Sequence, residues 1–185
     1  MHKIVFDVDD TLWQLNKRIA AEIGLDYNKI TVFSAHDNPN LTKTERDALL
    51  SAYADSKMFE DIEWDASIEK INVLQADIYI NSNNSTQEIA DLKRTQLHNI
   101  LNINDDHIIM NIVGNDKSNI TKKYIGDDVY ILVDDSPHNI EMSKAKFNIV
   151  IKRPWNEHCI LPKAKPAIFV DTLDDAIRLI ELILT

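Results

Sequence analysis

Residues 3–12 read Lys-Ile-Val-Phe-Asp-Val-Asp-Asp-Thr-Leu, a short apolar run that leads directly into three acidic side chains. The run is typical of a buried strand, and Asp7, Asp9 and Asp10 crowd its carboxyl end. Neighbouring carboxylates repel one another and lose hydration when partly buried, so packing alone does not favour them. A hard cation such as Mg²⁺ would explain the cluster. The alternative is a polar loop in which Asp10 or Thr11 caps a following helix.

The composition describes one acidic globular domain and narrows the possible partners. The chain has 185 residues, 44% of them hydrophobic, and a formal net charge of −10. A broad surface for polymeric nucleic acid or for an anionic membrane would need a basic face, so both partners are disfavoured. A phosphorylated small molecule is compatible with this charge, because a cation and a lysine can create a locally positive pocket.

The sequence also carries an expectation about the cellular compartment. Cys159 is the only cysteine, which excludes an intrachain disulfide and indicates a reducing environment. The chain starts with the predicted strand rather than with a basic-then-apolar leader, and no run approaches about 18 apolar residues. We therefore expect a cytoplasmic protein without a membrane-spanning segment.

Six short β-branched runs alternate with helical patterns along the chain. Most of the runs are continuously apolar, as expected of parallel strands that are buried on both faces. Strands that alternate with helices predict an α/β fold built on a doubly wound parallel sheet. The predicted strands cover residues 3–7, 77–82, 108–113, 129–134, 147–152 and 167–170.

Capping residues predict where four of the helices begin. Two capping boxes, in which a hydroxyl and a Glu three residues later satisfy each other's backbone N–H groups, precede apolar helical patterns. Pro137 suits the first turn of a third helix, and Thr172 begins the closing helix. The boxes are Thr42 with Glu45 and Ser85 with Glu88, and the predicted helices cover residues 43–55, about 86–100, 137 to about 146, and 172 onward.

The interval between the first and second predicted strands departs from this alternation. It holds two or three helical stretches and a polar loop around residues 36–42, whereas a simple crossover needs far fewer residues. We predict a helical cap over residues 13–65, inserted into a core that comprises residues 1–12 and 66–185. The sequence has only three glycines, so a Gly-rich phosphate loop is excluded.

Polar side chains follow further predicted strands, and the topology should bring them together. Ser82 ends the second strand, and Asp134 with Asp135 ends the fourth. The carboxyl ends of parallel strands share one edge of the sheet, so we expect these residues to meet Asp7 there. The alternatives are a turn role for Ser82 and a helix-capping role for Asp135 or Ser136.

A lysine at the same edge would supply positive charge for a bound phosphate. Lys117 follows the third predicted strand and stands at a predicted helix start, which places it at this edge. Lys122 and Lys123 fall within that helix and are expected to point away. The sequence therefore favours Lys117 among the three.

Taken in order, these segments resemble the four motifs of the haloacid dehalogenase superfamily, most of whose members are phosphatases. The resemblance covers essentially the whole chain. It implies that Asp7 is a nucleophile that becomes an aspartyl-phosphate and that Asp9 is the general acid/base. The motifs are Asp-x-Asp-x-Thr at residues 7–11, the strand closed by Ser82, the single Lys117, and the Asp134-Asp135 pair.

The resemblance also implies the ligands of the phosphoryl group and of the metal. Ser82 and Lys117 would bind the phosphoryl oxygens. Mg²⁺ would be held by the nucleophile Asp7, by the backbone carbonyl of Asp9 and by Asp134. Asp135 would cap a helix or hold a metal-bound water. The helical cap would close over the site and limit access of water.

A narrower resemblance is to the 5′(3′)-deoxyribonucleotidase-like branch of that superfamily. It rests on the helical cap, on Met-Phe-Glu-Asp-Ile at residues 58–62, on Asp-Lys-Ser around Lys117 and on Arg-Pro-Trp-Asn at residues 153–156. The branch implies a nucleoside monophosphate as substrate, and Trp13 and Phe59 would either stack on its base or belong to the core. The alternatives are a phosphatase for a sugar phosphate, another small phosphate ester or a phosphoprotein, and a non-catalytic phosphate-binding or interaction module.

Overall fold

A parallel six-stranded sheet, flanked by helices, forms the centre of the computed structural model, which describes residues 1–112, 122–126, 128–159, 161 and 166–185. The strand order is β3-β2-β1-β4-β5-β6, and every neighbouring pair is parallel. This confirms the predicted α/β doubly wound fold. The strands are β1 (Lys3–Phe6), β2 (Asp77–Asn84), β3 (Ile108–Ile112), β4 (Val129–Asp134), β5 (Phe147–Ile151) and β6 (Ala167–Val170).

The central position of β1 decides where a ligand can bind. Its neighbours are β2 on one side and β4 on the other, so the strand order reverses direction at β1. In open parallel sheets, ligands bind at such a switch point, outside the carboxyl ends of the strands. Ile4, Val5 and Phe6 of β1 and Ile131 and Val133 of β4 are buried, which fixes the register of the two strands and the positions of the residues that follow them.

Five α-helices whose full bounds lie within the described residues accompany the sheet, and two of the predicted caps are confirmed. Thr42 accepts a hydrogen bond from the Glu45 N–H (3.2 Å), and Glu45 accepts one from the Thr42 N–H (2.7 Å), which completes a capping box. Thr172 caps the last helix through the Asp175 N–H. The helices are α1 (Leu15–Glu22), α2 (Lys43–Ala54), α3 (Gln87–Ile100), α4 (Pro137–Met142) and α5 (Leu173–Leu184).

Two helix predictions need correction. The cap of α3 is Thr86, which accepts from the Ile89 N–H, whereas the Ser85 hydroxyl donates to the Tyr53 carbonyl at 2.7 Å. The predicted box of Ser85 with Glu88 is therefore wrong by one residue at its cap. Helix α4 is shorter than predicted because Ser143 leaves the helical conformation and its hydroxyl accepts from the Ala145 N–H, a local bond that competes with the helix.

The segment between β1 and β2 contains helices joined by turns and loops and no strand of the sheet, as its sequence predicted. Besides α1 and α2 it contains four short 3-10 helices, and none of residues 7–76, all of which are described, lies in a strand of the sheet. The two ends of the segment meet, because the Asp65 N–H donates to the Leu12 carbonyl at 2.9 Å and the rings of Trp13 and Trp64 are 6.3 Å apart. The division into a cap over residues 13–65 stays a prediction.

The hydrophobic core runs without interruption from the sheet into this helical segment. Helix α3 contributes a buried stripe of Ile89, Ala90, Lys93 and Leu97, which faces the sheet. One member of that stripe is a lysine, and its partner belongs to the site described below. Within the described ranges, no helix is both long enough and apolar enough to cross a membrane.

Leu97→Ala should destabilise the fold, because Leu97 is completely buried in the α3 stripe and its truncation leaves a cavity. We expect a loss of about 2–5 kcal/mol in the free energy of unfolding, measured by denaturant titration. Leu182→Ala in α5 is the matched control, since Leu182 is 73% exposed and should change stability by less than about 0.5 kcal/mol. Equal losses in the two variants would contradict the core position of Leu97.

Candidate active site

Three carboxylates meet at the carboxyl edge of the sheet, where β1 and β4 end side by side. The Asp7 N–H still donates to the Val133 carbonyl at 2.9 Å, so the sheet ladder fixes the residue that follows β1. Oxygens of Asp7, Asp134 and Asp135 all lie within 4.8 Å of one another, and all three side chains are buried. We call these three residues the carboxylate trio. The structure thus brings together the strand-end acids that the topology predicted.

Electrostatics identify the trio as a site that fits a divalent cation. Burial raises the pKa of Asp135 well above its usual value, and the charges of Asp7, Asp134 and Asp10 raise it further. A divalent cation would remove this repulsion and would find oxygen ligands of the kind that Mg²⁺ prefers. The donor set therefore fits the predicted metal.

Asp134 and Asp135 differ in what their side chains face. The Asp134 carboxylate accepts from the Ser136 N–H at 2.8 Å and from the Asn139 amide at 3.0 and 3.1 Å, so it is held against the start of α4. The Asp135 side chain lines the cavity described below, together with Asp7. The motif resemblance implies that Asp134 is the metal ligand and that Asp135 caps a helix or holds a metal-bound water. The contacts favour Asp135 as the ligand on the cavity side, with Asp134 behind it.

The Arg-Pro-Trp-Asn segment holds Asp135 in place. The Trp155 indole N–H donates to the Asp135 carboxylate at 2.9 Å. The Asn156 amide donates to the backbone carbonyls of Asp135 and Ile151, at 2.7 and 2.9 Å, and its oxygen accepts from the Arg153 N–H. Asn156 is completely buried, so these bonds are made in a low-dielectric setting. This segment therefore supports the trio from behind the sheet edge.

Asp9 stands apart from the trio and has its own partners. One of its carboxylate oxygens accepts from the Trp13 indole N–H at 2.9 Å, and the other binds the Lys93 ammonium at 2.5 Å. The Lys93 side chain is 1% exposed, and its nitrogen lies 4.7 Å from the centre of the Phe59 ring. The sequence analysis missed Lys93. Its signal was present, because a lysine occupies the apolar stripe of a helix between Ile89 and Leu97.

Asp10 takes the helix-capping role that was the alternative for this cluster. Its backbone has a φ of 60°, which turns the chain sharply after β1. Its carboxylate accepts from the Asn16 N–H at 3.0 Å and from the Asn16 amide at 2.6 Å, which satisfies a free N–H in the first turn of α1. The Tyr53 hydroxyl donates to the Asn16 oxygen and extends the network. Burial raises the pKa of Asp10 to about 7.

A cavity of about 330 Å³, which we call the site cavity, joins these groups. Carboxylates and Lys93 line one side, and aromatic side chains from the helical segment line another. At the end of β2 the wall is polar. The lining residues are Asp7, Asp9, Asp10, Leu15, Asn16, Phe33, Tyr53, Phe59, Asn83, Asn84, Ser85, Ile89, Lys93, Asp135 and Asn139.

The remaining predicted residues are placed less directly. Ser82 is completely buried and is not among the residues that line the site cavity, because β2 continues for two residues beyond it. Its phosphate-binding role stays a prediction. Lys117 lies outside the described residues, so its role also stays a prediction. Lys122 and Lys123 are exposed in a helical turn, and their expected orientation away from the site stays a prediction.

The two aromatic residues predicted to contact a base have different positions. Phe59 lines the site cavity, although its ring is largely covered by Lys93 and by an edge contact with Trp13. Trp13 does not line that cavity, and it is buried between Phe59 and Trp64. The core position that was the alternative for Trp13 is the one observed. Phe33 is the more accessible aromatic wall residue, with 55% of its surface exposed.

Asp135→Asn should reduce the pH dependence of stability of the metal-free protein. The folded-state pKa values of Asp135 and Asp10 are raised, so the folded state keeps protons that the unfolded state loses, and stability falls as pH rises from about 4 to about 7. In EDTA, wild-type protein should therefore melt at a lower temperature at pH 8 than at pH 5. Asp135→Asn should narrow that difference and weaken the stabilisation by Mg²⁺ at pH 8.

The exposed Asp106 provides the control for this measurement. Asp106→Asn removes an exposed carboxylate that is not part of the buried trio. It should leave the difference in melting temperature between pH 5 and pH 8, and the stabilisation by Mg²⁺, unchanged. Differential scanning calorimetry of the three proteins, with and without Mg²⁺, measures these melting temperatures. A wild-type protein that Mg²⁺ does not stabilise would count against a cation at the trio.

Comparison with known proteins gives the fold a name. No protein-family model matches the chain, and no curated protein matches it. Among solved structures, a dehalogenase aligns with 14% identity and a TM-score of 0.58, over 97% of this chain and 96% of that one. A haloacid dehalogenase-like hydrolase from Streptococcus pneumoniae aligns with 14% identity and a TM-score of 0.57, over 97% and 98%.

A haloacid dehalogenase-type hydrolase from Bacillus subtilis, crystallised with bound magnesium, aligns with 12% identity and a TM-score of 0.54. That alignment covers 97% of this chain and 98% of the other. Identities this low carry information about architecture rather than about substrate. The six-stranded sheet, its strand order and these alignments agree, and the chain has the haloacid dehalogenase-like fold.

Proposed function

We propose that this protein is a Mg²⁺-dependent phosphomonoester hydrolase that acts through an aspartyl-phosphate. The main supporting observation is that two members of the buried carboxylate trio, Asp7 and Asp135, line one cavity with a separately held carboxylate, Asp9. A site that only bound phosphate would gain nothing from the second acid, because additional negative charge weakens binding of an anion. A catalyst needs it for proton transfer.

The reaction divides between the two acids of the first motif. An oxygen of Asp7 attacks phosphorus, and the bond from phosphorus to the ester oxygen breaks. Asp9 gives its proton to that oxygen, so the alcohol leaves neutral. Asp9 then accepts a proton from water as the water oxygen attacks the phosphorus, which releases inorganic phosphate and restores the Asp7 carboxylate.

The metal and the phosphate-binding side chains would balance the negative charge of the phosphoryl group. Mg²⁺ would be held by Asp7, Asp135, Asp134 and the backbone carbonyl of Asp9, and when bound it offsets negative charge on the phosphoryl oxygens. Ser82 and Lys117 keep the phosphate-binding roles that the motif resemblance implies. The backbone hydrogen bond from Asp7 to Val133 fixes Asp7 at the end of β1, so the attacking oxygen is oriented before substrate arrives.

One of the similar structures is named as a dehalogenase. The negative charge of this site makes a haloacid an unfavourable substrate for the present protein. A haloacid carries a carboxylate of its own, and the trio would repel it unless a cation intervened. A phosphate ester with Mg²⁺ matches the same charges better. The phosphatase proposal therefore takes precedence over a haloacid substrate.

For the substrate we propose a nucleoside monophosphate, as the narrower resemblance implies. Phe33 supports this choice, since it combines 55% exposure with a position on the cavity wall where a flat base could stack. A sugar phosphate is the second candidate. The polar wall formed by Asn83, Asn84 and Ser85 favours it, because amides and hydroxyls suit the hydroxyl groups of a sugar.

Substitution of the two acids should separate their roles. Asp7→Asn should abolish phosphate release, since no nucleophile remains. Asp9→Asn should still form labelled phosphoenzyme from esters with good leaving groups, but hydrolysis should slow by about 10²–10⁴-fold. Rapid-quench experiments with ³²P-labelled substrate, with and without EDTA, measure both steps. Labelling of Asp7→Asn at the wild-type rate would show that the nucleophile is a different residue.

Phe33→Leu should reduce the preference for a nucleotide over a small ester. The loss of stacking should lower kcat/KM for the nucleoside monophosphate by about tenfold, on a stacking energy of roughly 1–3 kcal/mol. Turnover of p-nitrophenyl phosphate should change little, because that ester asks little of a base pocket. Leu15→Ala, which alters the same cavity without an aromatic ring, serves as the control. A wild-type preference for sugar phosphates over every nucleotide would select the second candidate.

A further inference from the structure

We infer that Lys93 and Trp13 form a clamp that positions Asp9 for proton transfer and keeps its carboxylate away from the metal. We call these two residues the Asp9 clamp. The inference rests on the proposed phosphatase function, because positioning matters only if Asp9 exchanges protons with a substrate. Lys93 lies in none of the four motif segments quoted above and was absent from the sequence-based site.

Lys93 is buried, so its ammonium needs an anionic partner, and Asp9 is that partner. A lysine in the apolar stripe of α3 loses its hydration, which is costly unless the ammonium finds an anion. The described partners of that ammonium are the Asp9 carboxylate at 2.5 Å and the face of the Phe59 ring at 4.7 Å. Neither of the neighbouring stripe residues, Ile89 and Leu97, could supply such a contact. Helix α3 therefore places the positive charge of Lys93 beside the Asp9 carboxylate.

The clamp holds Asp9 from two independent elements of the fold. Lys93 reaches one carboxylate oxygen from α3, and the Trp13 indole reaches the other from the turn that follows β1. Phe59 contacts both clamp residues, with its ring centre 5.9 Å from that of Trp13. A carboxylate held at both oxygens has little freedom to rotate, so its orientation is set before substrate binds.

The clamp also settles a competition between two cations. Asp9 is two residues from Asp7, and a divalent ion at the trio would attract its side chain as a further ligand. The ammonium of Lys93 offers the Asp9 carboxylate a different partner. In this way two acids of one short motif can serve different purposes.

Lys93→Met tests the clamp, because methionine fills the same space without charge. The readout is kcat/KM for two esters, phenyl phosphate, whose leaving oxygen needs a proton, and 2,4-dinitrophenyl phosphate, whose leaving oxygen does not. We expect a loss of up to about 10²-fold for phenyl phosphate and a much smaller loss for the dinitrophenyl ester. Trp13→Phe, which keeps the ring and removes the N–H, should show the same pattern more weakly.

Arg94→Met provides the matched control on the same helix. Arg94 is a neighbouring cation that pairs with Asp105 on the surface, and its loss should leave both kcat/KM values unchanged. If Lys93 acts through Asp9, Lys93→Met should cause no further loss for phenyl phosphate in the Asp9→Asn background. Equal losses for both esters that persist in that background would overturn the clamp and assign Lys93 to the phosphoryl group itself.

A stability measurement separates failure of the clamp from failure of the proposed function. Lys93→Met should raise the unfolding equilibrium constant of the wild-type chain at least about tenfold, because it strands Asp9, but should not do so in the Asp9→Asn background. The same shift in both backgrounds would overturn the clamp, whether or not an ester is hydrolysed. The stability effects of Lys93→Met and Asp9→Asn could be coupled while the wild-type protein hydrolyses no ester. That result would overturn the proposed function and leave the clamp intact.

Discussion

Asp7, Asp134 and Asp135 repel one another at distances where little water can screen them, and much of the site is arranged around that repulsion. Asn139 and Ser136 direct hydrogen bonds at Asp134, and Trp155 directs one at Asp135. Each of these donors stabilises a charge that burial would otherwise disfavour. These hydrogen bonds leave the pKa of Asp135 raised, because burial and the neighbouring charges outweigh them, and the three carboxylates could hold a metal ion.

The same constraint explains why the acids after β1 are treated so differently by their surroundings. Asp7 joins the trio, Asp9 is paired with an ammonium, and Asp10 is turned by its positive φ to accept bonds from Asn16. Adjacent carboxylates with identical environments would compete for one cation. Separate partners remove that competition and give the acids separate chemical properties.

Periodicity and strand-end chemistry were sufficient to predict the sheet and much of its active edge. The six strands are found because buried parallel strands need continuous β-branched runs, and Asp7, Asp134 and Asp135 converge because parallel strands end at one edge. The orientation of individual side chains was beyond this reasoning. Asp135 rather than Asp134 faces the cavity because of how the chain bends into α4, where Asn139 holds the Asp134 carboxylate.

Residues that act across elements were the hardest to predict. Lys93 meets Asp9 only because α3 packs beside the end of β1, and no local pattern specifies that contact. The cap of α3 was misplaced for a related reason, since the Ser85 hydroxyl is engaged by the Tyr53 carbonyl of the helical segment. Local rules assume that a polar side chain serves its own backbone, and tertiary partners can override them.

The hydrogen bond between Asp65 and Leu12, beside the paired rings of Trp13 and Trp64, has a consequence for how the fold can vary. Because the chain leaves and returns at nearly one point, the entropy needed to close the intervening loop depends only weakly on its length. Segments of quite different size could therefore be spliced between these two positions without disturbing the sheet. The side chains that this segment supplies to the cavity wall could then change, while the carboxylates at the edge of the sheet stay where they are.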